Sequence, residues 1–161
     1  MQYHLAADSP GDVTKLGPGA YGVLFQLERD VIIATGRLGE ISYPRGWYVY
    51  VGSAMGGISG RLKHHLGPHT RIFWHIDYVL PQGTLIAVVV GETDQRVECQ
   101  LASHLRDRFT GFEKFGSSDC RCEGHLFMSD AYEPLLKHVV NAFESVNCRP
   151  RVMEVVSDSS G

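Results

Sequence analysis

Apolar and polar residues alternate in the first third of the chain, in a pattern that predicts antiparallel strands. In "AYGVLFQL", residues 20–27, one face carries the larger side chains: Tyr21, Val23, Phe25 and Leu27. The following stretch, "DVIIATGRLGEISY", has β-branched residues and turn glycines, which are typical of a hairpin. With the turn at residues 44–46, these segments predict an antiparallel meander.

The last strand of this meander, "GWYVYVGSA" at residues 46–54, carries two neighbouring tyrosines. Because side chains alternate along a strand, Tyr48 and Tyr50 share one face, while Trp47 and the valines point the other way. Gly52 then allows another group to come close. The two tyrosines are either ordinary sheet residues, since strands favour aromatic side chains, or the floor of a site.

Apolar residues at helical spacing predict three helices. The first covers "ISGRLKHHL", residues 58–66, and ends at the Gly-Pro pair that follows. The second covers residues 95–109, with a core stripe of Val97, Leu101, Leu105 and Phe109. The last covers residues 131–143, with Pro134 in its first turn, where proline is tolerated.

Two further segments between these helices predict strands. "FWHIDYVL", residues 73–80, would place His75 and Asp77 on one face. Such a pair can serve a metal or a phosphate, or form a buried hydrogen-bonded pair. "TLIAVVVGE", residues 84–92, is almost unbroken apolar sequence and predicts a buried strand.

The chain's size and composition suit a single domain. It has 161 residues, of which 43% are hydrophobic and 20% charged. We expect a flexible N-terminal arm at residues 1–18, one domain at 19–156, and a disordered tail at 157–161. No apolar run approaches the ~20 residues of a membrane span, and no export signal is visible, so we expect a cytoplasmic protein without a membrane partner. The sequence does not fix the oligomeric state.

The net charge of −3 does not by itself indicate nucleic-acid binding, so any such surface must come from local clustering. Residues 60–71, "GRLKHHLGPHTR", form the best local basic patch and contain no acid. The patch is either a plain solvated face or a nucleic-acid contact. Its candidate contact residues are Arg61, Lys63, His64, His69 and Arg71.

Four cysteines in a chain of this size favour reduced thiols over a disulfide framework. Cys120, Cys122 and His125 lie in a loop rich in glycine and serine, residues 111–125. With Cys99 as fourth ligand they could bind zinc. The alternatives are thiols packed in the interior or a loop that contacts substrate.

Four features of the chain could converge on one site. "GAY" opens the first strand, "YVG" closes a later one, Arg61 lies on the helix after the glycine loop, and Glu98 borders the apolar stripe of the long helix. A carboxylate at such an edge needs a partner, and a divalent cation is one candidate. In order and type, the set resembles the GIY-YIG nuclease superfamily. The stretches "YVYVGSAMGG", "WHIDY" and "FGSSDCRCEGHLF" are similar to its small Uri-type branch.

The resemblance implies a compact α/β (α+β) domain, with a small antiparallel sheet flanked by helices. It also implies a metal-dependent endonuclease that hydrolyses phosphodiester bonds in nucleic acid, with DNA favoured and DNA repair or processing as the setting. Tyr21, Tyr50, Arg61 and Glu98 would be catalytic. A phenol could take a proton from water, the guanidinium could hold phosphate oxygens, and Glu98 could anchor Mg²⁺ or Mn²⁺. The accessory candidates are Tyr48, Ser53, His65, His75 and Asp77.

The sequence also departs from the superfamily's pattern. Residues 22–49 separate the two tyrosines, a longer stretch than the usual hairpin, so we expect an inserted strand or long loop. Ser53 stands where many members carry lysine, and residues 105–120 show no equivalent of their asparagine. Two alternatives to a nuclease therefore stay open: a catalytically silent nucleic-acid-binding module, and a zinc-stabilised interaction domain.

Overall fold

The computed structural model describes residues 3–5, 16–68, 71–116 and 123–157. Within them the chain forms nine strands and four helices. The strands are β1 (Tyr3–Leu5), β2 (Gly19–Leu27), β3 (Val31–Ala34), β4 (Glu40–Tyr43), β5 (Gly46–Ala54), β6 (Thr84–Glu92), β7 (Thr110–Phe112), β8 (Leu126–Ser129) and β9 (Arg151–Ser157). The helices are α1 (Ile58–Leu66), α2 (Ile76–Val79), α3 (Glu98–Arg106) and α4 (Tyr132–Ser145).

Seven strands form one sheet in the order β1-β9-β6-β2-β5-β8-β7, and the described pairs are antiparallel. The three longest strands, β2, β5 and β6, lie at its centre and are buried on both faces, which explains the near-continuous apolar sequence of β6. This confirms the predicted fold class, an antiparallel sheet flanked by helices.

Helices cover both faces of the sheet. On one face, α1 and α2 pack on a cluster that contains the alternate residues Tyr21, Val23 and Phe25 of β2. On the other face, α3 and α4 pack on a cluster that contains Val49 and Val51 of β5. Tyr48 and Tyr50 lie on the α1 face, so the alternation predicted for this strand is confirmed.

The long stretch between the two tyrosines folds into an inserted hairpin, as expected. Strands β3 and β4 pair only with each other, as a second sheet of two strands. Partly buried side chains of this hairpin, including Ile33 and Ile41, pack on the α1-face cluster. The insertion therefore extends the sequence without breaking the β2–β5 pairing.

The strand predicted at residues 73–80 is wrong, because residues 76–79 form helix α2. Asp77 Oδ2 accepts hydrogen bonds from the backbone N–H groups of Phe73 and Trp74, at 2.8 and 3.0 Å. These side-chain-to-backbone hydrogen bonds fold the segment before α2 into a turn, in spite of the alternating pattern. His75 and Asp77 therefore do not share a strand face.

The chain termini take part in the sheet more than predicted. Tyr3–Leu5, within the expected flexible arm, pairs with β9, and Ser157, within the expected disordered tail, is the last residue of β9. Leu16 is buried, and its N–H donates to Ser59 Oγ at 2.9 Å. The prediction of a loose arm and tail is therefore wrong for these residues.

Candidate active site

The ring of Tyr21 lies against Gly52, its register partner across β2 and β5. A Cβ at position 52 would stand 2.9 Å from the Tyr21 Oη and Cζ atoms, too close for any side chain. The glycine of "YVG" is therefore needed so that the phenol can lie over the neighbouring strand. Tyr21 is fully buried there, and the Tyr50 ring centroid lies 6.4 Å from its own.

Helix α1 presents two polar side chains to the Tyr21 phenol. Arg61 and His65 are four residues apart, so they lie on one face of the helix. The Tyr21 Oη atom is 3.0 Å from His65 Nε2 and accepts a hydrogen bond from Arg61 Nη1 at 3.4 Å. The phenol therefore links a cation to an imidazole inside the fold.

Trp74 holds the Arg61 guanidinium from its other side. The Arg61 Cζ atom lies 4.2 Å from the centroid of the indole ring, a cation–π contact. The Trp74 backbone is in turn fixed by Asp77, whose other carboxylate oxygen is 2.9 Å from His64 Nε2. Arg61 is thus clamped between a phenol and an indole and remains only half-buried.

Glu98 reaches the same end of the sheet from the α3 side. It is the first residue of α3, where a carboxylate is favoured by the helix dipole. Its Oε2 atom accepts a hydrogen bond from the hydroxyl of Ser53, and its Oε1 atom is 3.7 Å from Arg96 Nη1. Only 12% of its side chain is exposed. Ser53 therefore positions Glu98.

Burial dominates the electrostatics of the two phenols. It raises the pKa of Tyr21 to about 12, against the opposing effect of Arg61, and it raises the pKa of Tyr50 well above its ordinary value. The negative charges of Asp77 and Glu98 raise both pKa values further. Both phenols are therefore neutral near pH 7.

The four catalytic candidates approach one another from two faces of the sheet. Tyr21, Tyr50 and Arg61 lie on the α1 face, whereas Glu98 is held by Ser53 on the α3 face. The four features therefore do not share one face of the sheet as expected, because Glu98 is held on the face opposite the two phenols. Tyr21 and Tyr50 are closed to solvent, and Arg61 and Glu98 are the partly accessible members.

Two sets of donor atoms could hold a metal ion. A single carboxylate such as Glu98 suits Mg²⁺ or Mn²⁺, since Mg²⁺ usually keeps several waters and takes one or two carboxylates plus substrate phosphate. A second set consists of His64, His65 and Asp77, whose ligand atoms lie within 4.8 Å of one another. Both carboxylate oxygens of Asp77 already accept hydrogen bonds, so this aspartate anchors the surrounding structure.

Comparison with known families gives one match. The family described as "Domain of unknown function DUF123" matches residues 20–148, most of the chain. The chain belongs to the DUF123 family. No curated protein and no solved structure matches it.

Two accessory candidates pack outside the Arg61–Tyr21–His65 group: Tyr48 is buried, and His75 is partly exposed. The Tyr48 hydroxyl donates to the Pro44 carbonyl, and its ring stacks on Phe25 with centroids 5.2 Å apart. His75 Nδ1 accepts the Gly116 N–H at 2.9 Å, and burial lowers its pKa. The contacts of both residues are those of core packing.

The basic segment of the DUF123 domain exposes fewer groups than its sequence suggests. Lys63 and Arg71 are exposed, but His65 is fully buried and His64 is paired with Asp77. His69 lies outside the described residues. The accessible basic surface among the described residues of this segment therefore consists of Arg61, Lys63 and Arg71.

The zinc set predicted at Cys99, Cys120, Cys122 and His125 stays a prediction. Cys99 is disulfide-bonded in this structure, which differs from the reduced thiol expected for it. His125 is buried, with Nε2 3.9 Å from the Cys99 sulfur, and burial lowers its pKa. Cys120 and Cys122 lie outside the described residues. Cys148 is free and buried.

Sequence reasoning missed the aromatic residues beside Arg61. Trp74 contacts the guanidinium, and Phe73, next to it, is 61% exposed. The signals in the sequence are that two aromatic residues follow the basic segment one residue later, and that Trp74 opens the stretch "WHIDY". Among the described residues, no helix is long and apolar enough to cross a membrane.

Proposed function

We propose that this DUF123 protein is a metal-dependent endonuclease of GIY-YIG type that hydrolyses phosphodiester bonds in nucleic acid, with DNA as the favoured substrate and DNA repair or processing as the setting. The observation that carries the proposal is the hydrogen-bonded chain Arg61–Tyr21–His65. These residues also match the order of the superfamily's motifs. The resemblance and the geometry therefore support the same site.

Arg61 is the phosphate-binding group in this proposal. Its side chain is held on two sides, by Tyr21 and by Trp74, so little conformational entropy is lost when it binds. A guanidinium donates two parallel hydrogen bonds to phosphate oxygens and stabilises the negative charge that develops during hydrolysis.

Tyr21 and His65 provide a route for a proton. Tyr21 keeps its proton before the reaction, because burial raises its pKa to about 12. The Tyr21 oxygen accepts a proton from the attacking water while its own proton passes to His65 Nε2, 3.0 Å away. This direction requires the neutral imidazole to carry its own proton on Nδ1. Since Tyr21 is closed to solvent, substrate binding must admit a water to its Oη atom.

Glu98 would hold the divalent cation, Mg²⁺ or Mn²⁺. Such a cation, when bound, neutralises charge on the scissile phosphate and its leaving oxygen. Ser53 orients the carboxylate by its hydrogen bond, and Arg96 partly offsets its charge. The carboxylate keeps lone pairs for a metal beyond these two contacts.

The test is cleavage of labelled oligonucleotides by the purified protein with Mg²⁺, with Mn²⁺ and with EDTA. DNA and RNA are offered as single strands, duplexes and branched structures. Glu98→Gln should keep the fold and lose metal-dependent cleavage, by at least about 100-fold, because it preserves shape and removes the charge. Glu92→Gln, a carboxylate on the end of β6 that pairs with Arg151, is the matched control.

Full Mg²⁺-dependent cleavage by Glu98→Gln would remove this residue from the site. No cleavage of any substrate by the wild-type protein would overturn the endonuclease. The burial of both phenols favours a second candidate, a nucleic-acid-binding module without catalysis. That candidate predicts oligonucleotide binding that does not depend on the metal or on Glu98.

The proposal keeps the cytoplasmic location that the sequence predicted. The zinc-stabilised interaction domain stays an alternative, and a measurement of bound zinc in the purified protein tests whether the Cys/His loop takes metal.

A further inference from the structure

A cleft with a volume of about 240 Å³ opens beside Arg61, between the segment before α2 and the inserted hairpin. Phe73, Trp74, His75 and Tyr78 line one part of it, and Arg37 lines another. The proposed hydrolysis uses none of these five residues as a reacting group. The cleft is nevertheless joined to the candidate site, because Trp74 both lines it and carries the Arg61 guanidinium at 4.2 Å.

Large apolar side chains are exposed at this cleft. Phe73 is 61% and Ile72 is 53% exposed. Exposed residues of this size cost free energy in water unless a ligand covers them, and as a contiguous patch they mark an interaction site. Their position beside the arginine of a candidate nuclease site distinguishes them from Ile32, a third exposed apolar residue on β3.

The exposed Phe73 ring is attached to a backbone segment that hydrogen bonds hold in place. Asp77, which is buried, accepts hydrogen bonds from the backbone N–H groups of both Phe73 and Trp74, and it pairs with His64. The His64 ring in turn contacts both aromatic rings, with centroids 5.4 and 5.0 Å away. The aromatic surface is therefore organised before any ligand binds, which lowers the entropic cost of binding.

The charge around the cleft suits a polyanion. Arg37 lines it, Arg61 stands behind Trp74, and Arg71 precedes Ile72. None of the residues that line the cleft is acidic. Aromatic rings combined with arginines are the arrangement that binds single-stranded nucleic acid, since bases stack on the rings while cations follow the phosphates.

We infer that this cleft binds an unpaired nucleobase next to the phosphate held by Arg61, so that the enzyme acts on single-stranded or locally opened nucleic acid. The volume is that of roughly eight water molecules, which suits one planar base. A base inside a duplex is stacked on both sides and cannot offer its face to Phe73 unless it leaves the stack. This inference rests on the proposed function for the role of Arg61.

The test measures binding in EDTA, so that cleavage does not interfere. Fluorescence anisotropy compares a labelled single-stranded DNA, the RNA of the same sequence, and the DNA as a blunt duplex. Phe73→Leu keeps an apolar side chain and removes the ring, and Phe73→Tyr keeps the ring. Ile32→Ala is the matched control, because it removes an exposed apolar side chain elsewhere.

Phe73→Leu should weaken single-strand binding by about 5-fold to 150-fold, the usual effect of losing one stacked base. Duplex binding should not change, and Phe73→Tyr and Ile32→Ala should bind like the wild-type protein. A loss on either DNA or RNA supports the inference, and the polymer that binds more tightly is the substrate. An equal loss for single strand and duplex, or no loss at all, overturns it.

The inference and the proposed function can fail separately. Cleavage that Phe73→Leu leaves unchanged on single strands, with unchanged binding, would overturn the base cleft and leave the endonuclease standing. Ring-dependent binding by a protein that cleaves nothing would support the cleft and overturn the endonuclease. If Phe73→Leu converts a dimer into a monomer and leaves oligonucleotide binding unchanged, the patch joins two copies of the chain and the inference is wrong.

Discussion

Helices α3 and α4 cover one face of the sheet with aliphatic side chains and phenylalanine, whereas the face beneath α1 buries four tyrosines. The buried residues of the α3/α4 cluster include no tyrosine, and the buried polar residue beside α3 is His125, 3.9 Å from the Cys99 sulfur. The buried tyrosines of the α1 face are Tyr21, Tyr43, Tyr48 and Tyr50. A phenol in the interior needs a hydrogen-bond partner, so the α1 face must organise polar groups around its tyrosines.

The tyrosines of the α1 face differ in the partners they use. Tyr48 donates to the Pro44 carbonyl, and the Tyr43 hydroxyl lies 2.9 Å from Thr35 Oγ1. These partners are neutral and close in sequence. Tyr21 instead bonds to Arg61 and His65, two ionisable residues far along the chain. Partners that could carry or transfer charge are what distinguish a candidate catalytic tyrosine from a structural one.

The largest effect should come from the aliphatic face. Phe143 of α4 packs where Gly91 leaves room, since a Cβ at position 91 would be 3.1 Å from its Cδ2 atom. Phe143→Ala should lower the free energy of unfolding by about 3–5 kcal/mol, through lost burial and the cavity left behind. Urea denaturation measures this, with Phe143→Leu expected to lose less. Cleavage per folded molecule should not change, and a specific loss of cleavage would show that the two faces are not functionally separate.

Tyr21→Phe should reduce cleavage far more than it reduces stability, unlike Phe143→Ala. Arg61 and His65 each lose one hydrogen bond, which costs about 1–3 kcal/mol of stability, while the proton route is broken and cleavage falls by about 10²–10⁴-fold. Tyr48→Phe, which removes a structural phenol from the same face, is the control. Urea denaturation and single-turnover cleavage are measured on both variants. If Tyr21→Phe is destabilised but cleaves normally, Tyr21 is a structural tyrosine like the others.

Local sequence patterns predicted those elements whose structure is set locally. The four-residue spacing of Ile58, Leu62 and Leu66 gave the bounds of α1, and the alternation in β2 and β5 gave the correct faces. The alternating pattern predicted a strand where α2 forms, because the Asp77 side chain accepts hydrogen bonds from backbone N–H groups three and four residues earlier. Strands β1 and β9 were missed because their evidence is long-range pairing with each other and with β6.

At the candidate site, too, the sequence predicted local features and missed long-range contacts. The order of Tyr21, Tyr50, Arg61 and Glu98 could be read from the sequence, but only three of them share a face, because Glu98 lies on the opposite face instead of joining them. The link from Tyr21 to His65 and the clamp of Trp74 on Arg61 could not be read, because they join residues that only the fold brings together. The hydrogen bond from Ser53 to Glu98 could not be read from the sequence for the same reason.

A smaller effect should separate the exposed cations of the basic segment from its buried histidine. Lys63 and Arg71 are exposed, so each can neutralise one phosphate, whereas His65 is buried and cannot. Lys63→Ala and Arg71→Ala should each make the log–log salt dependence of single-strand binding shallower by about 0.7. Binding titrations across salt concentrations in EDTA measure the slope, with Lys137→Ala, on α4, as the control. An unchanged slope in both variants would place the nucleic acid elsewhere.

The smallest effect should come from a histidine at the rim of the α1 face. Burial lowers the pKa of His75, so its ring is neutral in both folded and unfolded chains above about pH 6.5. Below that pH the unfolded chain takes up a proton that the folded chain does not, so stability falls as the pH drops toward the folded pKa, by at most about 1.4 kcal/mol per pH unit. His75→Asn should make this fall shallower, since the amide oxygen can accept the Gly116 N–H in place of Nδ1 without titrating. Urea denaturation at pH 7.5 and pH 5.5 measures the difference. The variant should match the wild-type protein at pH 7.5, and an equally steep fall below pH 6.5 would assign the acid sensitivity to His125, whose pKa burial also lowers.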